Sequence, residues 1–311
     1  MPFRLKDAEN ALKMLTPFAN IQIFPSRCAY MLRKIALILC ILILLLSSCN
    51  CQKFEGNETT REANLKTIGL IGGMSWYSTA EYYRIINEEV NKAEGGLHSA
   101  KIIMYSVDMD TVEKMQTEGR WNDATDMMVN CAKKLENAGA DCIVICTNTM
   151  HKTADAVQKN ISIRLLNIID ITGENIKTNG FKKVGLLGTK YTMKDDFYKG
   201  RLSSKFGIEV IVPDDDNVTV VNDIIYEELL RGNINQTSKG KVIEIIKGLS
   251  DKGAEGVILG CTELPLLVKQ KDVNIPLFNT TQLHAEYAAK FALQDVALGN
   301  GSLAGEEGFS G

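Results

Sequence analysis

Short apolar runs recur along the chain, three of them containing or ending on a glycine: Ile68-Gly69-Leu70-Ile71-Gly72-Gly73, Cys142-Ile143-Val144-Ile145-Cys146, Val184-Gly185-Leu186-Leu187-Gly188 and Val257-Ile258-Leu259-Gly260. Continuous apolar character, rather than alternation, predicts strands buried on both faces, as in parallel sheets. Between them the apolar positions switch to helical spacing. Tyr82, Ile85, Ile86 and Val90 form one such face, Met127, Met128, Cys131 and Leu135 another, within a helix from Ala124 to Ala138. Further helices are predicted from Asp195 to Phe206, Val218 to Leu230 and Lys239 to Lys252, with a last one through Ala285, Ala288, Ala289 and Ala292. Weaker strands are expected at Lys101 to Val107, Leu165 to Ile169 and Glu209 to Val212, and a short edge strand at Ile275 to Asn279. Strands alternating with helices predict an α/β fold.

The pattern is written twice. Gly139-Ala140-Asp141-Cys142-Ile143-Val144-Ile145-Cys146-Thr147 matches Gly253-Ala254-Glu255-Gly256-Val257-Ile258-Leu259-Gly260-Cys261 at a constant offset, since 253 − 139 and 261 − 147 are both 114. The glycine turns at Gly72 and Gly188 are separated by 188 − 72 = 116. Two similar lobes follow, residues 67–170 with 277–298 as the first and 171–276 as the second. Thr147 is then the twin of Cys261.

Open α/β sheets bind ligands at the carboxyl ends of their strands, which is where both residues fall. Gly72-Gly73-Met74-Ser75-Trp76 joins a strand to a helix capped by Ser78 or Thr79, yet neither GxGxxG nor GxxxxGK(S/T) is present, which argues against a nucleotide. The glycines instead suit close approach to a small ligand, and the helix start favours an anionic group. Asn148, Thr149 and Thr262, at helix starts, are candidate donors to an α-carboxylate; Met74 and Gln116, in loops at strand ends, are candidate substrate contacts. Glu263 either orients Cys261 or complements a helix dipole. His151 is a capping or packing residue, or a proton relay. Asp108 reads as a cap or a site residue, and Asp214 to Asp216 as a solvated turn. Lys190 and Arg120 are the cations considered for a distal carboxylate, without a motif to anchor either.

Length and composition fit this picture. At 311 residues and 45% hydrophobic content the chain buries one or two α/β domains. Net charge is −3 and basic residues are scattered, which argues against a nucleic-acid partner. From Met31 the sequence changes character: Met-Leu-Arg-Lys, an apolar stretch from Ile35 to Leu46, then Ser47-Ser48-Cys49. This is the layout of a secretory signal rather than a spanning helix of roughly 20 apolar residues. Leu46-Ser47-Ser48-Cys49 resembles a bacterial lipobox, which implies lipidation of Cys49 and an exported, membrane-anchored protein. Residues 1–30 read as an upstream extension, 31–49 as the signal, 50–66 as a polar tether and 299–311 as a flexible tail. Of the eight cysteines, Cys131, Cys142, Cys146 and Cys261 belong to the globular part, without CxxC spacing or a metal pattern.

Ile68 to Trp76, Cys146-Thr147-Asn148-Thr149-Met150-His151 and Gly260-Cys261-Thr262-Glu263 are similar to the motifs of the cofactor-independent aspartate/glutamate racemase family, over about Thr67 to Phe291. The resemblance implies two flavodoxin-like lobes about a pseudo-twofold axis with the active site between them. It also implies a homodimer, no pyridoxal phosphate and no metal, and proton transfer at the α-carbon of aspartate, or of glutamate, from two opposed bases. One departure matters: the first family motif is Cys-Asn-Thr, and here Thr147 stands at that cysteine. Cys146 is one residue early, and strand alternation turns it away from the ligand. The expectation is an asymmetric enzyme in which Cys261 takes the proton and Thr147, through water or His151, serves the other face. Alternatives on the same scaffold are a hydantoin racemase, a maleate isomerase, or a surface-anchored amino-acid-binding protein without turnover.

Overall fold

The computed structural model describes residues 65–299. The expected extension, signal, Cys49 lipid site and most of the tether lie outside them, as does the tail beyond Gly299. No helix among the described residues is long and apolar enough to cross a membrane.

Two four-stranded parallel sheets are formed. The first has the order β2-β1-β3-β4, with β1 at Ile68–Gly72, β2 at Ile102–Ser106, β3 at Cys142–Ile145 and β4 at Arg164–Leu166. The second repeats it as β6-β5-β7-β8, with β5 at Lys183–Gly188, β6 at Glu209–Ile211, β7 at Gly256–Gly260 and β8 at Leu277–Asn279. The register repeats as well. Ile68 pairs with Cys142 and Val184 with Gly256, which reproduces the offsets of 116 and 114. An acidic residue fixes each pairing from below: Asp141 accepts from the Thr67 N–H at 2.6 Å, and its twin Glu255 accepts from Lys182 and Lys183 at 2.6 and 2.9 Å.

The helices α1 to α11 connect these strands. In the first half they are α1 (Trp76–Glu94), α2 (Met109–Thr117), α3 (Trp121–Asn137), α4 (Ala154–Lys159) and α5 (Ile168–Thr178). In the second half they are α6 (Lys190–Lys194), α7 (Asp196–Phe206), α8 (Asp215–Asp223), α9 (Gln236–Asp251), α10 (Leu264–Leu267) and α11 (Thr280–Gly299). Sheet one is covered on one face by α3 through Met128, Cys131 and Leu135. Its other face meets α1 through Tyr82 and Ile86, and α11 through Ala285, Ala288, Ala289 and Ala292. Alanines there let α11 approach the strands closely. Sheet two meets α9 and α10 on one face; on the other, Tyr198 and Leu202 of α7 join Ile168, Ile169 and Ile176 of α5. Each lobe's last helix therefore packs on the opposite lobe's sheet.

Several expected boundaries move. Ile168 and Ile169 belong to α5 rather than to a strand, because Asn167 turns the chain and its side chain caps the helix by accepting from Ile169 N–H at 2.9 Å. The chain accordingly leaves the first lobe near Asn167, not after residue 170. β8 pairs with β7, so residues 277–279 complete the second sheet and the return to the first lobe begins at Thr280. The N-cap of α1 is Ser75; Ser78 and Thr79 donate back to its carbonyl at 3.1 and 2.7 Å. Asp214 is a helix cap, accepting from Asn217 N–H at 3.0 Å, rather than part of a bare turn.

Candidate active site

The loops after β1, β3, β5 and β7 converge between the lobes on one cavity. Gly73 permits the first of these approaches: its φ is +92°, and a Cβ there would fall on the Val107 carbonyl oxygen. On the second side Gly188 and Gly260 lie so close that a Cβ on Gly188 would sit 2.8 Å from the Gly260 carbonyl. Thr147 and Cys261 line the same cavity, and they are only 8% and 7% exposed. The enclosed space is narrow, about 20 Å³, little more than a water molecule fills.

Of the other anticipated residues, Met74, Gln116, Asn148, Thr149 and Glu263 line this cavity. Thr262 is not among its lining residues; its buried hydroxyl donates to Glu263 Oε2 at 3.0 Å and so supports the carboxylate. Cys146 is fully buried in the core beneath α1 and α11, facing away as strand alternation requires. Asp108 caps α2 by accepting from Thr111 N–H at 3.1 Å, and Arg120 is held by Glu118 and Asp123. Neither lines the cavity, nor does Lys190.

Glu263 gathers three hydrogen bonds although it is 1% exposed. The Cys261 thiol donates to Oε2 at 3.1 Å, Thr262 to the same oxygen, and Ser75 of the opposite lobe to Oε1 at 2.6 Å. Glu263 thus contacts the Cys261 thiol directly and also stands at the N-cap of α10. Burial first, and then the adjoining Glu263 carboxylate, push the Cys261 thiol well above its ordinary value. The thiol's proton is directed at the Glu263 carboxyl group.

His151 is not free to relay protons. Its Nδ1–H donates to the Thr147 carbonyl at 2.7 Å and its Nε2 accepts from Ile168 N–H at 3.1 Å, so both ring nitrogens are engaged in a neutral ring. Burial holds its pKa down to about 4. The ring instead fixes the backbone that presents Thr147. Asn148 is similarly constrained. Thr280 donates its single proton to the Leu259 carbonyl at 2.8 Å, so it accepts from Asn148 Nδ2 at 3.0 Å, and Asn148 Oδ1 is buried without a partner among the described residues. That atom accepts hydrogen bonds; it does not suit a carboxylate.

Gly260 also lines the cavity, as do Met109, Thr189, Ile225, Tyr226 and Leu230, which were not anticipated. Tyr226 lies in a single π-helical turn, Ile224–Glu228, that continues α8 and turns the phenol toward the cavity. Its hydroxyl donates to Gln116 Oε1 at 3.0 Å, from the second lobe to the first. Gln116 Nε2 meets only the Met150 sulfur, at 3.2 Å, a weak acceptor.

A family model described as Asp/Glu/Hydantoin racemase matches residues 71–288, which spans every loop of this cavity. The chain belongs to that family. Among solved members, a candidate Asp/Glu racemase from Yersinia pestis is 52% identical, with a TM-score of 0.70 over 74% of this chain and 100% of its own. An aspartate racemase homologue from Pyrococcus horikoshii is 38% identical, with a TM-score of 0.63 over 73% of this chain and 99% of its own. Glutamate racemase of Aquifex pyrophilus is 30% identical over 144 residues, 46% of this chain but only 54% of that protein. The chain thus spans about half the length of that curated relative. As a racemase-family protein it has the two-lobed α/β scaffold, one parallel four-stranded sheet in each lobe.

Proposed function

We propose that the protein is a cofactor-independent amino-acid racemase. Cys261 is the base on one face of the α-carbon and Thr147 stands at the other. The observation that carries the reading is the placing of these twin residues on one closed cavity, with the Cys261 thiol donating to Glu263. On substrate binding the thiol passes its proton to Glu263, the thiolate removes the α-proton, and the carbanion is reprotonated either by the thiol it has just formed or from the Thr147 side. Return to the same face gives exchange without inversion; delivery from Thr147 gives inversion. A threonine hydroxyl is a far weaker acid and base than a thiol, so the first outcome is the faster. Asn148 Oδ1 accepts from the substrate ammonium, which supplies the partner that buried atom needs. The motifs and the names of the relatives point to aspartate or glutamate as the acidic substrates to try first.

Proton NMR in D₂O, with each enantiomer and the thiols reduced, tests the reading. Loss of the α-proton signal from the L form, absent in a Cys261→Ser variant, is expected. Tight binding of one enantiomer without exchange would instead identify a binding protein. Export and lipid anchoring at Cys49 are also proposed, supported by the basic, apolar and small-residue order of residues 31–49. Mass spectrometry of the mature amino terminus from cells would reveal an unlipidated chain if this is wrong.

A further inference from the structure

We propose that Ser75 is a positioning residue: its hydroxyl, reaching from the first lobe, holds the Glu263 carboxylate of the second lobe in the pose that takes the Cys261 proton. This rests on the racemase reading and adds to it a residue from the opposite side of the cleft. Ser75 is the N-cap of α1, where a serine hydroxyl ordinarily accepts from an N–H of the first turn. Here it makes no such bond. The turn is held through the Ser75 carbonyl instead, which accepts from Ser78 Oγ, Thr79 Oγ1 and Thr79 N–H at 3.1, 2.7 and 3.2 Å. The hydroxyl is thereby left to donate to Glu263 Oε1, and at 2.6 Å that contact falls in the range of the stronger, charge-assisted hydrogen bonds.

The three donors to Glu263 are not equivalent. Cys261 and Thr262 both bond Oε2 and directly precede Glu263 in the chain, so they travel with it. Ser75 bonds Oε1 from 188 residues away in sequence, and among the described residues no other side chain does so. It alone fixes the carboxylate from outside its own segment. With Oε1 pinned, turning Oε2 away from the thiol breaks a short, buried bond. In the proton transfer the Cys261 S–H bond breaks, an O–H bond forms at Oε2 and a thiolate is left; Ser75 keeps its own proton and goes on donating to Oε1. Asn148, which takes the substrate ammonium in the reading above, belongs to the same lobe as Ser75. Substrate anchor and carboxylate tether are thus carried by one lobe, and the thiol by the other.

The test measures kcat and KM for α-proton exchange in D₂O, with whichever of L-aspartate and L-glutamate exchanges faster, in Ser75→Ala, Glu263→Gln and the double variant. Ser75→Ala keeps the backbone carbonyl that holds the first turn of α1. Its kcat is expected to fall at least about tenfold, the scale of one hydrogen bond to a charged group, with KM within about twofold. In the Glu263→Gln background the same change is expected to cost less than about threefold, because the group that Ser75 positions is already gone. If Ser75→Ala does not fold, Ser75→Cys takes its place: a thiol of nearly the same shape is a weaker donor, and a fall in kcat of at least about threefold, again absent beside Glu263→Gln, is expected. An unchanged kcat, a loss confined to KM, or a loss undiminished in the double variant overturns the proposal and leaves the racemase reading intact. If the unaltered protein exchanges no amino acid, the racemase reading fails and the proposal with it.

Discussion

Glu263 and Thr149 occupy the same place in the two lobes, 263 − 114 = 149, and each carries a hydrogen bond across the cleft: Glu263 from Ser75 at 2.6 Å, Thr149 with Thr189 at 3.0 Å. The scaffold is symmetric and the chemistry laid on it is not. One side presents a thiol beside a carboxylate, the other a hydroxyl beside a hydroxyl.

Removing the carboxylate separates its two effects. Glu263→Gln takes away a negative group that raises the Cys261 pKa, so the rise of exchange rate with pH moves to lower pH. It also takes away the proton acceptor, so the plateau falls, by about a hundredfold or more on the scale of general-base catalysis. A pH profile of kcat/KM that keeps its midpoint would show that Glu263 does not govern the thiol.

Thr147→Cys restores a second thiol to the symmetric position. Racemisation has an equilibrium constant of unity, so the two directions share one kcat/KM for inversion, while exchange at a single face is not so bound. The native protein should therefore exchange the L enantiomer faster than it inverts it, and the variant should bring the two rates together. Chiral chromatography beside NMR reads both.

The paired imidazoles tie stability to acid. His151 and His284 stack edge to face 5.7 Å apart, and burial lowers their pKa values to about 4 and about 3. The unfolded chain protonates each near the ordinary value of about 6.5, while the folded protein resists until far lower pH. Stability is thus whole above about pH 7 and is lost as pH falls from about 6.5 toward about 3, by about 2 kcal/mol per histidine at about pH 5. A Tm lowered by roughly 10 °C between about pH 7.5 and about pH 5 is expected. A flat Tm over that range would contradict the buried, neutral assignment.

Tyr226→Phe removes the hydroxyl that reaches Gln116 across the cleft. Gln116 Oε1 is left without its donor, at a cost of about 1–3 kcal/mol to stability. Because the same bond holds the walls together, KM should change more than kcat. Urea midpoints and steady-state kinetics check the two halves.

Much of this architecture was legible in sequence because it rests on strands. Short unbroken apolar runs beside glycine turns pointed to buried strands, their repeat set Thr147 against Cys261, and alternation turned Cys146 away. The misses have separate causes. Thr262 reads as a substrate donor because it lies at a helix start, but its hydroxyl is turned to the nearest carboxylate, Glu263. Tyr226 was hidden inside an ordinary helical pattern, since a single π turn adds one residue without disturbing the apolar spacing on either side. Residues 277–279 were given to the wrong lobe because an edge strand three residues long carries no mark of which sheet it joins.

The exchange of last helices has an evolutionary reading. Each half leaves part of its own sheet to the other's last helix: α5 lies on the second, α11 on the first. A chain of half this length, built to the same plan, would be soluble only as a pair trading terminal helices, a swapped dimer. Joining two copies end to end makes that trade within one chain, and afterwards the copies are free to diverge residue by residue. A thiol could then be lost from one face of the cleft while the other kept it.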